Sequence, residues 1–422
     1  MGTSAVATAQ LTTREVLGIS VVRRLWFALI ISTFGDFLAL FAVLSVVSFK
    51  MHAAAEQVTW IQIASLLPIV LIGPLAGVFV DRWPLKPTLI SSDVIRAGLT
   101  LLLLLATQLW HFYLILAVIS IVSAFFGPAQ QCTVRTSVPP EGIIATGAVM
   151  QQAIFVVRVI SPAIAGLLVA SFGAVSCYLI DGASFLASAA LIASVVIGSK
   201  APDPQKTAED TPSGIRKVWF DMRVGFAFIV HHRAIFFIVL ALAAAIFTLG
   251  CFAPLIAIYV RESLHGSVRL FGITSSMIGA GILGGFFAVQ QLAKTHSNKT
   301  LVFSGLGGIA LGLLALAAIT QVAVTLVATF TIGFAVAAIL LPAQALMLQE
   351  TPEDLMGRVS STGMSIVFGA QVLGLLLSGF LAKLMSVQKM FILAALFLIG
   401  LVLLGSLLLR GRGDRKIATA SE

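Results

Sequence analysis

The sequence predicts an all-α membrane protein, with twelve transmembrane helices arranged as two six-helix pseudo-symmetric bundles. Three observations predict it. The 422 residues are 59% hydrophobic and 10% charged, with a mean hydropathy of +1.07, so polar side chains are too few to cover a water-facing surface and lipid must be the solvent. Twelve apolar runs are long enough to cross a bilayer, which takes roughly 20 residues. Finally, Phe126-Gly-Pro-Ala-Gln130, with its tail through Pro139-Pro-Glu141, returns 214 residues later as Leu341-Pro-Ala-Gln344, running to Pro352-Glu353-Asp354. An internal repeat of half so apolar a chain is what a two-halved transporter carries, with its substrate route between the halves.

The elements follow in order. Residues 1–24 form a polar, small-residue cytoplasmic arm ending in Val21-Val-Arg-Arg24. The first run, 25–49, exceeds the usual signal-peptide core of about 7–15 residues and carries Asp36, so it reads as an uncleaved helix despite Ala53-Ala-Ala55 behind it. Runs 57–80, 87–108, 112–134, 143–171 and 174–198 complete an N-terminal bundle over 25–198; only Ser171-Phe-Gly173 separates the last two. Residues 199–233 are a cytoplasmic linker. Ala201-Pro-Asp-Pro204 and Thr211-Pro-Ser-Gly214 break structure there, and Ile215 to His232 reads as an amphipathic helix on the membrane surface. Runs 234–260, 268–292, 299–319, 322–349, 358–382 and 389–409 make the C-terminal bundle over 234–409, leaving a cytoplasmic tail of 410–422.

Charge sets the orientation. With the N-terminus inside, inner segments hold 19 Lys and Arg, and outer segments hold five: Lys50, Arg261, Arg269, Lys383 and Lys389. That asymmetry predicts both termini in the cytoplasm. The net charge of +9 then reads as anchoring against anionic lipid rather than as a nucleic-acid footprint.

Ionisable residues inside apolar runs are expensive and therefore informative. Asp36, in Ser32-Thr-Phe-Gly-Asp36, is either a proton carrier or cation binder, or a structural acid paired to a neighbouring helix. Arg158 stands about 15 residues into the fifth run, near the midplane at about 1.5 Å per residue. Its natural counter-ion is Asp36; Asp181 in the sixth run is a second candidate. Asp93 and Arg96, three apart on one helical face, can satisfy each other. The charges of the second half stand at the ends of its runs and none is expected within the membrane, so ion coupling is expected in the first.

Between the second and third runs, Gly77-Val-Phe-Val-Asp-Arg-Trp-Pro-Leu-Lys86 has the form G-x-x-x-D-R-x-x-x-K and resembles the signature loop of the major facilitator superfamily. Ser92-Asp-Val-Ile-Arg-Ala97, the Phe-Phe-Gly-Pro-Ala-Gln stretch, Leu179-Ile-Asp-Gly-Ala-Ser-Phe185 and Met356-Gly-Arg-Val359 resemble the branch of macrolide-efflux pumps and the enterobactin exporter. Ser32 to Asp36 is similar to the first helix of the lysophospholipid-transporter branch. The resemblance runs from about residue 25 to 405 and implies the major facilitator fold.

It also implies a cytoplasmic gate of Gly77, Asp81, Arg82, Lys86 and Arg358, with Asp93 and Arg96 as a brace. In that family the loop Asp sits against the eleventh helix, whose N-terminal N–H groups favour a carboxylate; here that helix would begin near Gly357. Arg82 and Lys86 serve equally well as positive-inside anchors. Lys86 follows Trp83-Pro84-Leu85, where the family more often has a Gly and a basic pair, which shortens the latch. The fourth run lacks the Arg that many proton-coupled members carry, and Ser161-Pro-Ala-Ile-Ala-Gly166 resembles their antiporter motif with Ser and Ala for the usual Gly.

Other chemistry is not indicated. Cys132, Cys177 and Cys251 are dispersed, the six His fall at loops or run edges, and no G-x-x-x-x-G-K-[ST] occurs, so no metal, cofactor or enzymatic activity is expected. Gly279-Ala-Gly-Ile-Leu-Gly284 matches a dinucleotide fingerprint but follows no strand and reads as helix packing. The expected function is export of a small amphipathic molecule, drug-like or siderophore-like, coupled to protons by rocking of the halves, in a bacterial inner membrane and as a monomer. The alternative is a lysophospholipid flippase without obligatory proton coupling, and a membrane sensor or scaffold is a third reading. Candidate cavity residues are Phe34, Phe37, Phe41, Phe125, Phe126, Phe252, Gln344 and Met347.

Overall fold

In the computed structural model the described residues are 11–80, 83–195, 214–352 and 355–410. They hold fifteen α-helices and no strand. In order these are α1 (Thr13–Gly18), α2 (Ser20–Ser45, prolonged by a π turn over Val46–Lys50), α3 (Ala55–Val80), α4 (Leu85–Leu102), α5 (Leu109–Ser137), α6 (Ile143–Phe172) and α7 (Ala174–Ala193). After them come α8 (Gly214–His231), α9 (Arg233–Phe252), α10 (Leu255–Glu262), α11 (Val268–Leu292), α12 (Asn298–Ala318), α13 (Val322–Glu350), α14 (Met356–Leu381) and α15 (Val387–Arg410). Twelve helices among the described residues are long and apolar enough to cross a membrane.

Local chemistry explains the boundaries. The expected run 234–260 is broken after Phe252, because Pro254 lacks an N–H and opens α10 as its N-cap. Between α6 and α7 the connection shrinks to Gly173 alone, held at φ 79°, a backbone state a side chain disfavours. The repeated prolines, Pro128 and Pro342, lie inside α5 and α13. Membrane helices tolerate them because neighbours re-satisfy the freed carbonyls. The repeat also reaches the backbone. His52 and His265, at the α2–α3 and α10–α11 connections, are the two non-glycine residues with positive φ among those described (50° and 49°). They stand 213 residues apart, within one residue of the Pro-Ala-Gln offset.

By contact the chain divides into two compact units, Met1–Met51 with Trp60–Gly214, and His52–Thr59 with Ile215–Glu422. In the first, α2 packs on α6 and α7, and α4 packs on α5 and α7, around Val22, Leu25, Leu89, Phe126 and Ile192. In the second, α13 packs on α11 and α12, α14 on α9, and α15 on α12. Gly281 of α11 lies so near the Phe330 carbonyl of α13 that a Cβ there would fall 2.1 Å from it, so the G-x-G-x-x-G stretch is part of a helix contact. Helix α8 belongs to this unit through Ile229, which packs with Ile235, Val239 and Val359. The segment His52–Thr59, inside the expected first bundle, also belongs here. Arg261 Nη1 donates to the Ala53 carbonyl at 3.0 Å, and Lys383 pairs with Glu56 at 2.8 Å.

Candidate functional site

The first unit buries a polar cluster where α2, α4 and α7 meet. Helix α4 supplies Asp93 and Arg96, one turn apart and so on one face, both buried. Arg96 Nη2 donates to Asp93 Oδ1, and Ser188 of α7 donates to Asp93 Oδ2 at 2.7 Å. The Arg96 guanidinium lies between the Phe126 and Phe185 rings, 4.4 Å from each centroid. That sandwich holds a planar cation better than it would hold an ammonium. On its remaining side Arg96 Nη1 stands 3.9 Å from Asp36 Oδ2 of α2.

Asp181 of α7 forms the second part. It is 1% exposed, accepts from Thr100 Oγ1 of α4 at 3.1 Å, and has Ser184 Oγ 3.3 Å from its other oxygen. Gly35 lets α2 approach this group: a Cβ there would lie 2.2 Å from Ser184 Oγ and 2.3 Å from Asp181 Oδ1. Three carboxyl groups and one guanidinium thus share the cluster, two of the carboxyl groups beside the guanidinium and the third held by hydroxyls. Fully ionised, the set would carry two uncompensated negative charges in a low-dielectric layer, a costly state that a proton or an organic cation relieves. Asp36 is the accessible member, its side chain 42% exposed, whereas Asp93 is 0% exposed.

The expected Asp36–Arg158 pair is not formed; the partner of Asp36 is Arg96. Helix α4 brings Arg96 to α2 from a buried position, while Arg158 of α6 is exposed and sits over the Phe37 ring at 5.8 Å. Nor does Asp181 pair with Arg158: its partners are hydroxyls. The expected Asp93–Arg96 pair is present.

Of the gate residues, Asp81 and Arg82 lie outside the described residues. Gly77 is in α3, with nothing within 4 Å of where a Cβ would sit. Lys86 closes the end of α7, its Nζ donating to the Ala193 and Val195 carbonyls at 2.6 and 2.8 Å. Arg24 joins it there, bonding the Ser194 carbonyl and, at 3.0 Å, Ser194 Oγ. Two cations therefore meet the negative end of one helix. Arg358 is half-buried in the first turn of α14, with Ser361 Oγ donating to its carbonyl at 3.1 Å.

Several cavity candidates are packing residues instead. Phe41, Phe126 and Phe252 are 5%, 7% and 3% exposed, because large apolar rings fill interhelical space; Phe252 packs on Phe391 at 5.4 Å. Met347 packs against the Ile229, Ile235, Val239 and Val359 cluster. Phe34 and Phe37 are half-buried, and Gln344 is exposed. Phe125 stacks on Trp83 at 5.6 Å, edging an open groove of about 400 Å³ between α4 and α5. Sequence reasoning missed Thr100 and Ser188, and gave Ser184 and Phe185 only as part of a resemblance, with no place in the site. The signal was present in α7, where Asp181, Ser184, Phe185 and Ser188 fall at i, i+3, i+4 and i+7, one continuous helical face.

With this geometry in hand, the comparisons with known proteins agree on the family. A family model described as Major Facilitator Superfamily matches residues 25–369 and 251–421. The chain is 26% identical over 390 residues to the uncharacterized MFS-type transporter YfiS of Bacillus subtilis (strain 168), covering 89% of this chain and 90% of the other. It is 24% identical over 356 residues to macrolide efflux protein A of Streptococcus pyogenes, covering 82% and 85%. Among solved structures, an inward-facing, unoccupied bacterial homolog of the human lysosomal transporter Spinster superposes with a TM-score of 0.69 at 12% identity, covering 90% and 95%. The chain belongs to the major facilitator superfamily and is a twelve-helix integral membrane transporter.

Proposed function

We propose that the chain is a proton-coupled exporter of an amphipathic organic molecule, working by alternating access in a bacterial inner membrane with both termini in the cytoplasm. The observation that carries the coupling is the imbalance in the cluster where α2, α4 and α7 meet: Asp36, Asp93 and Asp181 against Arg96, with Asp36 only half-buried. Asp36 exchanges the proton. When it is ionised, the Arg96 guanidinium is shared between Asp36 and Asp93; when it is protonated or occupied by a cationic group, Arg96 turns to Asp93 alone and α2 is released from α4. The moving bodies are residues 25–198 and 234–409, joined by 199–233. Gly77, Asp81, Arg82, Lys86 and Arg358 gate the cytoplasmic side, braced by Asp93 and Arg96. The export direction draws support from the likeness to macrolide efflux protein A.

Everted membrane vesicles energised to an acid interior test this reading. Asp36→Asn is expected to abolish gradient-driven uptake of a fluorescent drug while the protein stays folded and inserted. Gradient-dependent uptake at the wild-type rate in Asp36→Asn sinks the coupling, and gradient-insensitive movement of a labelled lysophospholipid with no drug uptake replaces the reading with a flippase.

A further inference from the structure

We infer that Arg158 binds an acidic group of the transported molecule, a carboxylate or phosphate, whose apolar body lies against Phe37. This rests on the preceding reading for the molecule being cargo, and adds its chemical class.

The first unit distributes its charges unevenly. Arg96 has two anions, Asp93 and Asp36, and two aromatic rings, Phe126 and Phe185, around its guanidinium. Arg158 is the opposite case. It lies near the middle of the apolar span Pro140–Phe172, is exposed, and makes no ion pair with any described carboxylate. Its one observed partner is the Phe37 ring, 5.8 Å from the guanidinium carbon. An Arg at that depth cannot shed its proton, so it needs a counter-charge or water. No fixed group among the described residues supplies one, although Asp36 is next to Phe37 in sequence.

The geometry suits a ligand. A ring beside the guanidinium leaves its N–H edge free for two parallel bonds to a planar or tetrahedral oxyanion. The same ring offers apolar surface for whatever carries that anion. Asp36, half-buried and on the same helix as Phe37, disfavours a second negative charge on the ligand, so one acidic group on an apolar or aromatic body fits best.

The test uses the full chain in phosphatidylcholine nanodiscs, without a proton gradient, titrated calorimetrically with 2-naphthoate, 2-naphthyl phosphate, 2-naphthalenemethanol and 2-naphthylmethylamine, and separately with lysophosphatidylglycerol. The naphthyl anions are expected to bind roughly 10–100-fold more tightly than the alcohol and amine. Arg158→Ala should erase that preference, Arg158→Lys should keep part of it, and Phe37→Leu should weaken all four naphthyl ligands. An Arg158-dependent signal from lysophosphatidylglycerol alone supports the acidic-group assignment and identifies its source as a lipid headgroup. Equal affinity for the alcohol and the anions, or an anion preference surviving in monodisperse Arg158→Ala and Arg158→Gln, overturns it. The two readings fail separately. Wild-type transport by Asp36→Asn removes proton coupling yet leaves Arg158-dependent binding standing, whereas loss of the anion preference leaves the vesicle result untouched.

Discussion

Gly35 of α2 and Asp181 of α7 touch where no side chain could intervene: a Cβ on Gly35 would stand 2.3 Å from the Asp181 carboxylate and 3.0 Å from its Cα. Backbone proximity therefore brings the helix of Asp36 against the helix of Asp181.

Gly35→Ala is expected to destabilise the protein by about 1–3 kcal/mol, the usual cost of overpacking. Gly98→Ala, where nothing lies within 4 Å of the new methyl, should be neutral or slightly stabilising through helix propensity. Thermal unfolding of the two variants in one detergent compares them directly, and equal midpoints would contradict the close contact.

Arg96 and Ser188 should separate in magnitude. Arg96→Ala leaves Asp93 buried without its cation and is expected to cost about 3–5 kcal/mol. Ser188→Ala removes one hydroxyl donor from the same carboxylate and should cost about 1–3 kcal/mol. Arg96→Lys should rescue only in part, since an ammonium cannot fill the slot between Phe126 and Phe185. Denaturant titrations in mixed micelles rank the three, and a Ser188→Ala loss as large as that of Arg96→Ala would argue against the assignment.

At the end of α7, Lys86→Met and Arg24→Met are each expected to cost about 1 kcal/mol, with coupling between them, because they bind neighbouring carbonyls, Lys86 those of Ala193 and Val195 and Arg24 that of Ser194. Faster amide exchange confined to the last turn of α7 is the readout. Exchange accelerated evenly along α7 would point to a general loss of packing instead.

The short α1 should be acid-sensitive. Thr12 N donates to Glu15 Oε2 at 2.7 Å and Thr12 Oγ1 donates to the same oxygen at 2.8 Å, which holds the Glu15 carboxyl below its ordinary 4.5. A depressed folded value means the cap contributes fully above the unfolded value and is lost as pH falls through the folded one. Exchange protection at Val16 should therefore be lost on acidification below the ordinary 4.5, and Glu15→Gln should flatten that dependence. A wild-type profile as flat as the variant's would show that the cap does not hold α1.

Much of the fold was legible because bilayer-spanning runs are a one-dimensional signal. Composition and run length alone place twelve helices, and the Pro-Ala-Gln repeat already pairs α5 with α13. The break at Pro254 was available from the residue itself but was masked by unbroken apolarity on both sides. Partners were harder to read. Asp36 and Arg158 share a depth, which sequence gives, but their pairing depends on which way each helix is turned, which it does not. Arg96 reaches Asp36 because α2 and α4 both pack on α7, a three-dimensional fact with no trace in spacing. Lys86 was visible as a cation, while its target, the end of α7, is more than a hundred residues away.

The link between α6 and α7 is Gly173 alone. A linkage of one residue has no slack to let the two helix ends separate, so the bend at Gly173 is where their relative angle is set. The arm carrying Arg158 therefore keeps its Gly173 end fixed to that of the arm carrying Asp181, whatever the angle between them. Arg158 and Asp181 thus sit on two arms that share one pivot.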